Sequence, residues 1–246
     1  MASEGEGDGG PRILGVLGGM GPEATILLMQ RILEATPAPA GRPRDDADHL
    51  PLLVDNNTQV PSRIRHLVEG TGEDPGPTLA AMARRLEAAG AAALAMPCNT
   101  AHAYAGAIRE AVRLPFLDMV ALTADAAAPL PAGPAGILAS PATRITGIFA
   151  AAFAARGREV IHPADEAAML GAIRAVKAGQ GERARPVLEA AAAELAGAGA
   201  AVLIVGCSEF SLLSRGLAAT VPVIDTLDVL AVAAVRFALA PRPLPA

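Results

Sequence analysis

The sequence predicts an α/β protein of two similar domains, each a parallel sheet flanked by helices. The domains are related by internal duplication, with the active site in the cleft between them. Two segments align without a gap: Gly90-Ala-Ala-Ala-Leu-Ala-Met-Pro-Cys98-Asn-Thr-Ala-His102 and Gly199-Ala-Ala-Val-Leu-Ile-Val-Gly-Cys207-Ser-Glu-Phe-Ser211. Two more matches keep the same order, Gly15-Val-Leu-Gly-Gly-Met20 with Gly136-Ile-Leu-Ala-Ser-Pro141, and Leu114-Pro-Phe-Leu-Asp118 with Val221-Pro-Val-Ile-Asp225. Self-similarity of this kind is a strong organisational signal. Short, continuously apolar runs also alternate with helical patterns, as in parallel sheets covered on both faces.

Along the chain, Arg12 to Leu17 reads as a buried strand and Pro22 to Ala35 as a helix with proline in its first turn. Leu50 to Asp55 is a second strand. Thr78 to Ala89 is helical, with Leu79, Met82, Ala83 and Leu86 on one face, and Gly90 ends it before the strand Ala92 to Met96. The second half repeats the order. It has strand Gly136 to Ala139, helix Thr143 to Arg156, strand Glu159 to Ile161, helices Glu166 to Ala178 and Ala184 to Ala198, and strand Ala200 to Val205. The expected division is a disordered tail over 1–11, a first domain of 12–117 plus 225–246, and a second domain of 118–224.

Composition narrows the functional classes. The 246 residues are 52% hydrophobic, with no Trp and one Tyr, so aliphatic side chains fill the cores. A net charge of -5 without a basic cluster argues against nucleic acid as a partner. The start of the chain is acidic and Gly-rich, unlike a signal peptide, and no apolar stretch has the length and purity of a membrane span. The expected setting is the cytoplasm, where two cysteines remain free thiols. Two cysteines in separate halves and four scattered histidines show no metal-ligand spacing, so no metal is expected. Gly19-Met-Gly-Pro-Glu-Ala24 fits a loose dinucleotide pattern, but Glu23 would set negative charge where a pyrophosphate sits.

The chemistry is expected in the loops after the strands, where open parallel sheets bind ligands. Met20, residues 57–63, Cys98 to Thr100, Ser140 to Thr143 and Cys207 to Glu209 all fall there. Matched thiols suit the inversion of a stereocentre, which needs a base on one face of the carbon and an acid on the other. Each sits at a strand-to-helix turn, where donors favour the thiolate while burial opposes it. A lone cysteine in an apolar strand is ordinarily a small buried hydrophobe, and the matched partner is what lifts these two. His102, on the first turn after Cys98, reads more readily as a capping or packing residue than as an acid or base.

Gly18-Gly-Met-Gly-Pro-Glu-Ala-Thr25, Asn56-Asn-Thr-Gln-Val-Pro-Ser-Arg63, Gly72-Glu-Asp-Pro75, Met96-Pro-Cys-Asn-Thr-Ala-His102 and Gly206-Cys-Ser-Glu209 together resemble the aspartate/glutamate racemase superfamily, its aspartate racemase branch most closely. The resemblance runs from Arg12 to about Arg236. It implies a homodimeric isomerase that needs no cofactor and moves the α-proton of an amino-acid substrate with Cys98 and Cys207. By the same resemblance, Asn99, Thr100, Ser208 and Glu209 lie beside the thiols and help hold the α-carboxylate. Arg63 grips a distal carboxylate, a task suited to a planar bidentate donor. Met20, Gln59, Ser140 and Thr143 line the pocket.

The chain departs from that pattern in places. Ser140 and Ser208 stand where the family often has threonine, and the hydroxyl is kept. Acidic-substrate members commonly carry a lysine shortly after the segment matching Pro163-Ala-Asp-Glu166, where this chain has Ala167, Ala168 and Met169. Its single lysine, Lys177, lies further on. L- and D-aspartate are the leading substrates. The alternatives are a glutamate or broad-specificity racemase, a hydantoin racemase, a maleate-type cis-trans isomerase, or a catalytically silent ligand-binding protein.

Overall fold

A computed structural model describes residues 10–241 of the chain. The expected tail over 1–11 falls almost wholly outside them, as do residues 242–246. Two parallel four-stranded sheets have the same strand order, β2-β1-β3-β4 and β6-β5-β7-β8. The first comprises β1 (Leu14–Gly18), β2 (Leu52–Asn56), β3 (Ala93–Ala95) and β4 (Phe116–Leu117). Between them run α1 (Pro22–Ala35), α2 (Arg63–Leu67), α3 (Gly76–Ala88) and α4 (Ala105–Ala111), and α5 (Met119–Ala127) follows. The second half holds β5 (Ala135–Leu138), α6 (Pro141–Thr146), α7 (Ile148–Ala154), β6 (Val160–Ile161), α8 (Glu166–Lys177) and α9 (Gly181–Gly197). It ends with β7 (Val202–Val205), α10 (Ser208–Ser211), β8 (Val223–Asp225) and α11 (Thr226–Leu239).

The duplication extends to atomic packing. Gly15 pairs with Leu94 across β1 and β3, and Gly136 pairs with Leu203 across β5 and β7. A Cβ on Gly15 would meet Leu94 Cδ2 at 2.9 Å and Leu86 Cβ at 3.2 Å. On Gly136 it would meet Leu203 Cδ2 at 2.8 Å and Leu195 Cβ at 3.0 Å. Both sites thus need glycine for the same reason: a leucine from the neighbouring strand and one from the preceding helix close over it.

Each sheet is covered on both faces, which is why its central strands carry no polar alternation. Leu86 of α3 and Ile108 of α4 pack on one face of the first sheet, and Leu28 of α1 with Leu230 of α11 on the other. Leu188 of α9 and Ile173 of α8 cover one face of the second sheet, Phe149 of α7 and Ala124 of α5 the other. The chain crosses between the sheets twice. Asp118 caps α5 by accepting from the Val120 and Ala121 amides, and Asp225 caps α11 by accepting from Leu227.

One expected helix is broken. The run from Thr143 to Arg156 forms two helices, because Gly147 adopts φ +67° between Thr146 and Ile148. Only glycine enters that left-handed region without strain, so the residue ends α6 and redirects the chain into α7.

Candidate active site

In both sheets the strand order reverses between the two central strands, β1/β3 and β5/β7, the place where an open parallel sheet leaves a crevice. The loops leaving those four strands bear Met20, Cys98, Ser140 and Cys207. All four line a single cavity of about 300 Å³ between the halves. Across it, the Thr100 and Ser140 hydroxyls approach to 3.4 Å.

Cys98 and Cys207 are both free thiols, each only 6% exposed. The Cys207 thiol donates to Glu209 Oε2 at 3.0 Å, and Glu209 Oε1 accepts from Lys177 Nζ at 2.6 Å. Burial, followed by the Glu209 carboxylate, pushes the Cys207 thiol well above its ordinary range. Burial pulls the Lys177 ammonium down, but Glu209 outweighs it and the net shift is upward. Cys207 therefore rests protonated beside an ion pair that neutralises its carboxylate partner.

The Cys98 loop is held from behind. His102 is buried; the Met119 amide donates to its Nε2 at 3.1 Å, so its proton sits on Nδ1 and is donated to the Cys98 carbonyl at 2.9 Å. Desolvation keeps the ring's pKa below the usual histidine value, and Asp118, 4.0 Å from Nε2, offsets this only in part. This neutral ring is the capping and packing residue that its place after Cys98 suggested.

Cations gather at the cavity wall. Arg63 and Arg65 come from the first half, Arg174 and Lys177 from α8. Arg63 donates to the carbonyls of Val60, Pro61 and Met20 at 3.0–3.3 Å and has no carboxylate partner among the described residues. Arg174 reaches Glu69, also on the wall, at 3.7 Å.

Of the residues singled out from sequence, Met20, Arg63, Cys98, Thr100, Ser140, Cys207 and Glu209 line the cavity. Four others lie off its wall. Gln59 is exposed, its side-chain amide on Thr58. The Thr143 hydroxyl is taken by the Ser140 carbonyl at 2.8 Å. Asn99 turns its amide nitrogen to Thr226 at 3.0 Å, and Ser208 is buried at the start of α10. Sequence reasoning missed Leu170, Ile173, Arg174 and Lys177, which line the cavity. Their spacing puts them on one face of α8, and that periodicity beside the chain's only lysine was the available signal. Met169 is 2% exposed in the core of the second half, so a lysine there would not meet the cavity in this structure.

Among the described residues no group of three or more His, Cys, Asp or Glu side chains could hold a metal ion, and no helix is long and apolar enough to cross a membrane. The duplicated fold with its cavity between the halves is that of an isomerase of the amino-acid racemase class. A solved aspartate racemase from Picrophilus torridus superposes with a TM-score of 0.82 at 27% identity, over 92% of this chain and 94% of that one. The chain belongs to the Asp/Glu/hydantoin racemase family, whose sequence profile matches residues 17–234. A putative Asp/Glu racemase from Yersinia pestis matches at 28% identity and TM-score 0.76, over 93% of this chain and 99% of that one. A broad-specificity amino-acid racemase of Bacillus subtilis is 26% identical over 237 residues, covering 93% of this chain and 99% of its own length.

Proposed function

We propose that the protein interconverts L- and D-aspartate without a cofactor, with Cys98 and Cys207 as the two proton-transfer groups. The observation that carries this reading is the placing of the two thiols on one cavity, from equivalent strand ends of two duplicated sheets. In one direction the Cys98 thiolate takes the α-proton and the resulting carbanion takes a proton from Cys207 on the opposite face, leaving Cys207 as thiolate. The reverse direction exchanges the roles. The Cys207–Glu209 hydrogen bond supports Cys207 as the resting acid.

The substrate follows from charge. Arg63 has no carboxylate partner among the described residues, and the cations Arg63, Arg65, Arg174 and Lys177 outnumber the carboxylates Glu69 and Glu209 on the cavity wall, which favours an amino acid with a second carboxylate. Apolar Leu170 and Ile173 on the same wall favour a second reading, a broader substrate range like that named for the Bacillus relative. The reading includes the reducing cytoplasm as its setting and a homodimer, for which the exposed stripe Ile26, Met29 and Leu33 on α1 is a candidate contact.

The test is α-proton exchange in D2O followed by NMR, without added cofactor, on both enantiomers of aspartate, glutamate and a neutral amino-acid panel. Exchange and inversion of aspartate that Cys98→Ser and Cys207→Ser each abolish is the expected result. Activity on neutral amino acids alone would overturn the substrate, and no exchange by folded, reduced protein would overturn racemisation.

A further inference from the structure

Thr226 is the first residue of α11, fully buried, and does not line the cavity. Its hydroxyl donates to the Val205 carbonyl at 3.0 Å and accepts from Asn99 Nδ2 at 3.0 Å. Val205 ends the strand that leads to Cys207, and Asn99 directly follows Cys98. One hydroxyl therefore joins the two thiol-bearing segments. Its single proton goes to the carbonyl, so the Asn99 contact must come from the amide nitrogen, and Asn99 Oδ1 is left buried without a hydrogen-bond partner.

We propose that Thr226 is a positioning residue for the reaction: its hydroxyl is a strut that fixes the Cys98 loop relative to the Cys207 strand, and with it the geometry in which both thiols meet one substrate carbon. This rests on the two-thiol reading of the site. Packing alone does not account for the residue, because valine has nearly the same shape and carries no polar group to bury. The fold does not demand a hydroxyl there either. The duplicated position in the first half, after the helix-capping Asp118, is Met119, an apolar residue in the core. In that half the tie to the thiol loop is made instead by the Met119 amide through His102. Each crossover helix thus begins on a residue bonded to the thiol loops, by different chemistry. Thr226 alone of the two reaches both halves with its side chain. Two-sided proton transfer is sensitive to such a strut, since small errors in donor and acceptor placement are costly in rate.

The experiment compares Thr226→Val and Thr226→Ser with the unmodified protein at temperatures where circular dichroism shows all three folded. T226V is expected to lower kcat for aspartate racemisation at least tenfold with KM changed less than threefold, and T226S to restore kcat to within threefold. Should T226V fail to fold, Thr226→Ala removes the same hydroxyl without filling its space and carries the same expectation. A kcat within twofold of the unmodified protein in the folded hydroxyl-free variant would overturn the strut. If the unmodified protein exchanges no α-proton at all, the functional reading falls, and the strut is judged by iodoacetamide alkylation of Cys98 and Cys207 read by peptide mass spectrometry. A change of at least fivefold in T226V that T226S reverses supports it, and unchanged rates overturn it.

Discussion

Cys207 and Glu209 share a proton contact of 3.0 Å in which the thiol is donor and the carboxylate acceptor. Glu209 thereby opposes ionisation of Cys207 twice, by charge and by accepting its hydrogen bond. Glu209→Gln keeps an acceptor and removes the charge, so Cys207 ionises at lower pH than before. In the direction that needs Cys207 protonated, the alkaline limb of kcat/KM is expected to move to lower pH. Initial rates measured separately from each enantiomer across pH would read this, and an unmoved limb would refute the assignment.

Arg63→Lys retains a positive charge and loses the planar fork. If the arginine binds a distal carboxylate in bidentate fashion, kcat/KM for aspartate falls at least about tenfold, roughly 1.4 kcal/mol of transition-state stabilisation, mostly through KM. Rates on neutral amino acids, where present, change far less. Steady-state kinetics on both substrate classes decides it.

Met169→Lys restores a lysine near the position where acidic-substrate relatives commonly carry one. Because Met169 is buried between α8 and its neighbours, the substitution is expected to destabilise the fold by about 3 kcal/mol or more and to give no gain in aspartate kcat/KM. Urea titration beside the kinetic assay checks both halves of that statement.

His102 is held neutral, burial keeping its pKa below the ordinary histidine value of about 6.5, so the unfolded chain takes up this proton before the folded one does. Stability is then lost as pH falls below about 6.5, at no more than about 1.4 kcal/mol per pH unit for the one proton. In His102→Gln, which offers an amide donor and acceptor in its place, this share of the pH dependence is expected to vanish. Urea unfolding of both proteins from pH 7.5 to 5.5 compares the slopes.

Much of this arrangement was legible in the sequence, for identifiable reasons. Buried parallel strands leave unbroken apolar runs, and the repeat around Cys98 and Cys207 survives because both must leave central strands at a switch point. The glycine at 147 was read as part of a helix, since a single glycine tells its φ only when something outside the helix redirects the chain. The α8 face of the cavity was missed because Leu170, Ile173 and Arg174 look like any amphipathic stripe until the opposite half supplies the other wall. Asn99 and Thr143 were read by position beside the site. Their side chains are committed to Thr226 and to the Ser140 carbonyl, which spacing along a chain does not reveal.

The return of α11 to the first sheet has a consequence for how the protein is made. Leu227, Leu230, Ala231 and Ala234 close the face of β1 that Leu14 and Val16 present, so the first sheet is covered by a helix that follows the whole second sheet in the chain. The second half contains its whole sheet within the span from Ala135 to Asp225 and is able to consolidate earlier. On a ribosome the first sheet therefore stays open on that face until α11 has emerged, leaving an apolar surface uncovered in the meantime.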